Sequence, residues 1–180
     1  MTILAYQTPF EVLLDYERKS LAHAVGLPET LEAEGLWRGI AFRVSASYLV
    51  AGIGEINEIL TIPSTTNVPG SKAWLLGIAN VRGNLVAIID LKSFLAGQRT
   101  LINERSRILV IKLGTASVGL LVDEVLGQKT FNDSHRIELS QVEESLVDFI
   151  DGGYRQDGRD WGIFALAQLL RMQEFVNAAA

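Results

Sequence analysis

Few residues of this chain stand at spacings that could do chemistry, and each such group meets a physical objection. Gly114-Thr115-Ala116-Ser117-Val118-Gly119 has the glycine spacing of a phosphate-binding loop, but Leu120 and Leu121 fill the positions from which Lys and Ser or Thr would reach phosphate and magnesium. A hairpin turn is expected there instead. Gly52-Ile53-Gly54 lacks the third glycine and the following helix of a dinucleotide site. His23 and His135 have no second ligand at metal spacing. Asp123-Glu124 and Glu143-Glu144 are adjacent carboxylates, which an extended chain sends to opposite faces, so neither pair shares a substrate. Cysteine is absent, which removes thiol catalysis, thiolate metal sites and disulfides together. No catalytic, cofactor-binding or metal-ligating set is assigned, and no cofactor is expected.

What remains is a lone cation in a turn. Gly77-Ile78-Ala79-Asn80-Val81-Arg82-Gly83-Asn84-Leu85-Val86-Ala87-Ile88-Ile89-Asp90-Leu91 places two apolar runs around Asn-Val-Arg-Gly-Asn. Gly and Asn tolerate the positive dihedrals of a tight hairpin, so the segment reads as strand, turn, strand. Two readings of Arg82 stand side by side. Its stem covers the turn while its head pairs with Glu58 or Asp90, or its five donors are offered to a partner's carboxylates or helix-end carbonyls. Trp37 and Trp161 are expected in the core, whereas Trp74, after a loop, fits core or interface.

The elements that position this turn are mostly strands. Residues 9 to 26 form the exception, a helix with Thr8 as N-cap, Pro9 at the first helical position, Glu11 completing the capping box, and Gly26 as the stop. Phe10, Leu13, Leu14 and Leu21 line its apolar face, which must dock on the rest of the chain or on a partner, and are the candidate partner-docking residues. Residues 29 to 36 are an acidic linker or a further helical turn. From Trp37 onward three hairpins are predicted: Gly39 to Val44 with Tyr48 to Ile53, Ile108 to Leu113 with Val118 to Leu126, and Phe149 to Tyr154 with Trp161 to Leu166. Glu55 to Thr61 is extended, residues 64 to 71 are a loop, Lys72 to Leu76 a helical turn, and Leu91 to Ala96 a helix closed by Gly97. Ala167 to Met172 ends the folded chain as a helix.

The chain also repeats itself. Ile56-Asn57-Glu58-Ile59-Leu60 is echoed by Val122-Asp123-Glu124-Val125-Leu126, and Gly83 to Leu91 with Phe94-Leu95 by Gly158 to Leu166 with Leu169-Leu170. Two copies of one β unit suggest two small barrels side by side, because closure removes sheet edges that would otherwise aggregate. The predicted organisation is a helical extension over 1–36, the paired barrels over 37–172 and a tail over 173–180.

Composition narrows the partners. The chain has 180 residues, 48% of them hydrophobic, enough for a core without staples. The net charge of -5 and the scattered basic residues exclude the concentrated stripe that nucleic acid requires. Arg99, Glu104, Arg105 and Arg107 read as a solvated connector. The first residues lack the basic head and apolar run of a secretory signal, and no apolar run reaches the roughly 20 residues of a membrane span, so a soluble chain without direct membrane insertion is expected.

The segments Ile56-Asn57-Glu58-Ile59, Val68-Pro69, Gly77-Ile78-Ala79-Asn80-Val81-Arg82-Gly83, Ile88-Ile89-Asp90-Leu91 and Val118-Gly119-Leu120-Leu121-Val122-Asp123-Glu124-Val125 resemble, in order and spacing, the CheW family of chemotaxis coupling proteins. The match runs from about Gly39 to Leu170. Trp37-Arg38-Gly39-Ile40-Ala41-Phe42-Arg43 and Asn67 to Trp74 are similar to its members in type IV pilus chemosensory systems. The resemblance implies a mainly β fold of two SH3-like five-stranded barrels with short helices, intertwined in one domain. It also implies a cytoplasmic, non-catalytic adaptor between the cytoplasmic tip of a methyl-accepting chemoreceptor and the regulatory domain of a CheA-type histidine kinase. Receptor contact then falls on Ile56, Glu58, Gly77, Asn80, Arg82, Gly83 and Gly119, and kinase contact on the hydrophobic ends of the barrels. Asn57 and Val81 depart mildly from the family's residues. The reading from a different class is a small-ligand-binding or enzymatic β-barrel domain with a pocket between the barrels, which would need a deep cavity with converging polar groups.

Overall fold

The computed structural model describes residues 9–22, 35–114, 116–139 and 142–178, with side chains omitted for 20–22. It divides into two units, residues 1–34 and Gly35–Ala180. In the first, helix α1 (Pro9–Ala22) starts at the proline whose missing N–H suits a first turn, and Lys19 pairs with Asp15 one turn earlier at 2.6 Å. Phe10, Leu13 and Leu14 are exposed on α1. The Thr8 cap, the Leu21 side chain, His23, the Gly26 stop and the acidic segment 29–34 lie outside the described residues.

The second unit holds the β structure. Strands β1 (Leu36–Val44) and β2 (Ser47–Gly52) form the first hairpin, and β3 (Ile56–Leu60) follows. Next come β4 (Leu75–Val81), β5 (Asn84–Asp90) and helix α2 (Leu91–Ala96). The later half contributes β6 (Arg107–Leu113), β7 (Ala116–Val122), β8 (Glu124–Asn132) and the short β9 (Arg136–Ile137). It ends with β10 (Ile150–Gln156), β11 (Arg159–Phe164), α3 (Leu166–Arg171) and α4 (Gln173–Val176).

These strands make two sheets, ordered β8-β1-β2-β11-β10-β9 and β3-β6-β7-β5-β4. We call them barrel A and barrel B. The internal repeat pairs β1 to β5 with β6, β7, β8, β10 and β11, and under that pairing the two orders coincide, apart from the extra β9. Even the parallel contacts correspond: β5 with β7 in one sheet, β11 with β2 in the other. Each opening hairpin therefore sits in the barrel built by the other half, and the barrels exchange strands.

Alternation explains how both barrels are filled. Along β6, Ile108 and Val110 point into barrel B with Ala79, Val86, Ile88 and Leu121, while Leu109 and Ile111 face the other way. There they meet Ile40, Phe42, Leu49 and Ala51 of barrel A in the core between the sheets. Ala41 and Val50 point into barrel A beside Phe131, Tyr154 and Trp161. Strands that bury both faces read as near-continuous apolar runs, as Ile108 to Ile111 does.

Polar side chains fix the crossings. Asp90, fully buried, accepts hydrogen bonds from Ser93 N (3.1 Å), Thr100 N (2.8 Å) and Thr100 Oγ1 (2.7 Å), which caps α2 and ties down the connector after it. Gly97, at φ 68, closes that helix.

The structure corrects several expectations. Val118 to Leu126 is not one strand: the chain bends at Asp123, leaving sheet B and entering sheet A as β8. Because of that bend, Asp123 and Glu124 do not diverge; both approach Arg43, at 3.9 and 3.5 Å, and Asp123 Oδ2 also accepts Ser45 N at 2.6 Å. Lys72 to Leu76 gives one hydrogen-bonded turn and then β4, since Leu75 pairs with Ile89. Residues past Met172, read as a tail, carry α4, whose Phe175 is buried against Trp74 and Phe94 with ring centroids 6.4 and 5.2 Å away. All three tryptophans lie within the protein body, Trp74 and Trp161 buried and Trp37 stacked on Tyr154.

Candidate functional site

β3 and β4 are the two edges of sheet B, so closing the barrel requires something to span them. The bond is ionic. Arg82, at the tip of the β4–β5 hairpin, places Nη2 2.5 Å from Glu58 Oε1 on β3. Glu58 shares a strand face with Leu60, which packs on the barrel B interior, and its partner Arg82 comes from the hairpin that holds the opposite edge.

The turn itself is a two-residue loop, Val81 facing Asn84, with Arg82 at φ 51 and Gly83 at φ 87. Such a turn matches strand twist but needs two positive dihedrals. Asn80 Oδ1 accepts Gly83 N at 2.8 Å and locks it. The sequence reading gave the left-handed positions to Gly and Asn; the structure puts Arg82 itself in one. An L-residue there costs about 1–2 kcal/mol, and the exposed ion pair returns at most about 1 kcal/mol. Ser45 and Asp157, each in another hairpin turn, hold the same left-handed backbone at φ 55 and 54.

Register decides what surrounds the tip. Asn80 opposes Leu85 and Ile78 opposes Ala87, so these four share the outer face of the hairpin. Leu85 is 74% exposed and Ile78 37%, beside an Arg82 side chain that is 78% exposed. Leu85 and Ile78 were missed as site residues although both stand inside the quoted motif. The signal was available: a two-residue turn at Arg82-Gly83 sets Leu85 opposite Asn80 and hence outward. Ile56, half-buried, packs on the inter-barrel core and borders an open groove of about 370 Å³ with Ile53, Leu166 and Leu170.

Two expected contact residues are not on the surface. Gly119 is buried on β7, where a Cβ would stand 2.6 Å from Ile108 Cγ2 and 2.7 Å from Ile88 Cδ1. Gly77 is buried at φ 140, and a Cβ would run into the Thr66 carbonyl. That closeness lets Thr66 bridge to Ile78 in both directions, 2.8 and 2.9 Å, and cover part of the β4 edge. Both glycines shape the site by packing. Glu58, Asn80, Arg82 and Gly83 are brought together around the β4–β5 tip, Ile56 faces the inter-barrel core and its groove, and Gly77 and Gly119 are buried in sheet B.

Side chains of both sheets fill the core between the barrels, and among the described residues open grooves border it, including one of about 480 Å³ by Val44, Lys92, Leu95, Glu143 and Leu146 and one of about 370 Å³ by Ile53, Ile56 and Leu170. Among the described residues no group of three or more His, Cys, Asp or Glu side chains is placed to hold a metal ion. No helix among them is long and apolar enough to cross a membrane.

A pair of SH3-like barrels that exchange strands is the class this topology defines. The chain belongs to the CheW-like domain family, whose family model matches residues 38–174. It is 37% identical to the protein PilI of Pseudomonas aeruginosa over 174 residues, 96% of this chain and 97% of that one. It is 27% identical to the chemotaxis protein CheW of Bacillus subtilis over 106 residues, covering 59% of this chain and 64% of that protein. The crystal structure of the scaffolding protein TtCheW from Thermoanaerobacter tengcongensis superposes with a TM-score of 0.65 at 22% identity, over 76% of this chain and 94% of that one, which establishes the shared fold.

Proposed function

We propose that this chain is a non-catalytic adaptor that holds the cytoplasmic tip of a methyl-accepting chemoreceptor in register with the regulatory domain of a CheA-type histidine kinase. It works in the cytoplasm, in a chemosensory system that controls type IV pili, and reaches the membrane through its partners. The similarity to PilI along nearly the whole chain supports the pilus assignment. The observation that carries the docking site is the Glu58–Arg82 pair at the mouth of barrel B, flanked by exposed Ile78, Asn80 and Leu85. A cation ringed by exposed apolar side chains suits a helical partner bearing carboxylates. Coupling needs only differential contact with two receptor states, about 1–3 kcal/mol. The apolar stripe of α1, Phe10, Leu13 and Leu14, serves in this reading as an additional docking element for the kinase.

The deciding experiment is recovery of a receptor cytoplasmic fragment and of a kinase regulatory domain by wild-type chain, Arg82→Asn and Leu85→Glu. Both variants should lose the receptor fragment and keep the kinase domain. Undiminished receptor recovery by both would reject this surface.

A further inference from the structure

The hairpin tip of barrel A repeats that of barrel B with its charges inverted. Asp157 and Gly158 hold φ 54 and 70 where Arg82 and Gly83 hold 51 and 87. Asp157 Oδ2 reaches Lys129 Nζ on the edge strand β8 at 4.0 Å, just as Arg82 reaches Glu58 on edge strand β3. The inverted tip has further features that the other lacks.

Arg159, the first residue after the turn, lays its guanidinium 3.9 Å from the ring centroid of Tyr48 and 5.6 Å from that of Trp161. Lys129 Nζ lies 4.8 Å from the same Trp161 ring. Neighbouring Arg155 is doubly matched by Asp160 at 2.6 and 2.8 Å, but Arg159 meets no carboxylate among the described residues. Trp161 is 2% exposed and its indole N–H is buried without an acceptor, the one such side-chain atom among the described residues. A buried donor left unpaired costs about 1–3 kcal/mol, and a native structure usually has a reason for it. Leu126, Lys129, Gln156, Asp157, Arg159 and Trp161 line one open groove of about 320 Å³.

Among the described residues Arg159 has no carboxylate, and the only one near Lys129 is Asp157 at 4.0 Å. Two cations against one carboxylate leave the groove net positive, and a guanidinium held over an aromatic ring has lost part of its freedom before a carboxylate arrives. We propose that this groove is a carboxylate-binding site for an acidic peptide segment of a protein partner, with Arg159 and Lys129 as its cations and the Trp161 ring they lie over as its floor. Nucleic acid does not fit, because a chain of net charge -5 has no basic stripe to continue the contact. The site is independent of the Arg82 surface and does not rest on its role.

The test is an NMR titration of the full chain with blocked tetraglutamate, with tetraglutamine and inorganic phosphate as separate arms. The chain has three tryptophans, and Trp161→Phe assigns the Trp161 indole N–H signal by its loss. Tetraglutamate should move that signal and leave the Trp74 signal in place. Arg159→Gln, at an exposed position, should raise the apparent Kd by about tenfold or more, as loss of a charge-assisted bond does. Arg82→Asn should leave it unchanged. A stationary Trp161 signal, an equal response to tetraglutamine or phosphate, or an undiminished response in Arg159→Gln would each overturn the proposal.

Discussion

Arg82 carries two costs: a left-handed backbone, which the turn requires of whatever residue stands there, and an exposed long side chain. Asn suits the backbone better and lacks the ion pair, so Arg82→Asn should change stability by no more than about 1 kcal/mol while receptor recovery falls. Denaturant melts run beside the binding assay check both halves of that statement. Gly119 is the opposite case. Gly119→Ala forces a methyl against Ile88 and Ile108, and should destabilise by about 1–3 kcal/mol with loss of both partners in proportion to unfolding. Selective loss of one partner at full stability would contradict the packing role. Tyr154 gives a pH signature. Burial first, then the hydrogen bond its hydroxyl donates to Asp133 Oδ1 at 3.1 Å, hold its pKa above the usual 10.0. The unfolded chain then releases the proton first, so this contribution is complete below about pH 10 and is lost as pH rises through the native value. Denaturation midpoints between about pH 9 and 11.5 should fall for the wild type and flatten in Tyr154→Phe.

At the scale of elements, the short helices do more than decorate the strands. Phe175 of α4 closes an aromatic triad with Trp74 and Phe94, and Lys72 N donates to Ala178 O at 2.9 Å, so the end of the chain seals the side of the inter-barrel core. Phe175→Ala should cost about 3 kcal/mol, measured by denaturant titration, and a change under about 1 kcal/mol would show α4 to be peripheral. Helix α2 and all four antiparallel hairpins were legible in sequence, because caps, glycines and alternation are local. The full length of β8, the short β9 and α4 were not. Their segments lack strong alternation, and they form because β1 offers a pairing edge, β10 a second, and Trp74 a surface.

At the scale of the molecule, strand exchange makes the barrels interdependent. Neither barrel is a contiguous segment: barrel A takes β1 and β2 from one half and β8 to β11 from the other, and barrel B takes β6 and β7 in return. Unfolding should therefore be one cooperative transition, with fluorescence and far-UV dichroism coincident. Two resolved transitions would mean that the barrels are separable despite their shared strands.

By itself the sequence determined the four hairpins, the tight Arg82-Gly83 turn, the repeat and the family, since each is written in residues close along the chain. Tertiary structure decided which barrel each hairpin joins, that Gly77 and Gly119 are packing residues, and that Leu85 and Ile78 face outward. It also decided that Arg159 and Trp161 share an unfilled groove. These outcomes depend on register and long-range pairing, where a shift of one residue turns every side chain to the other face.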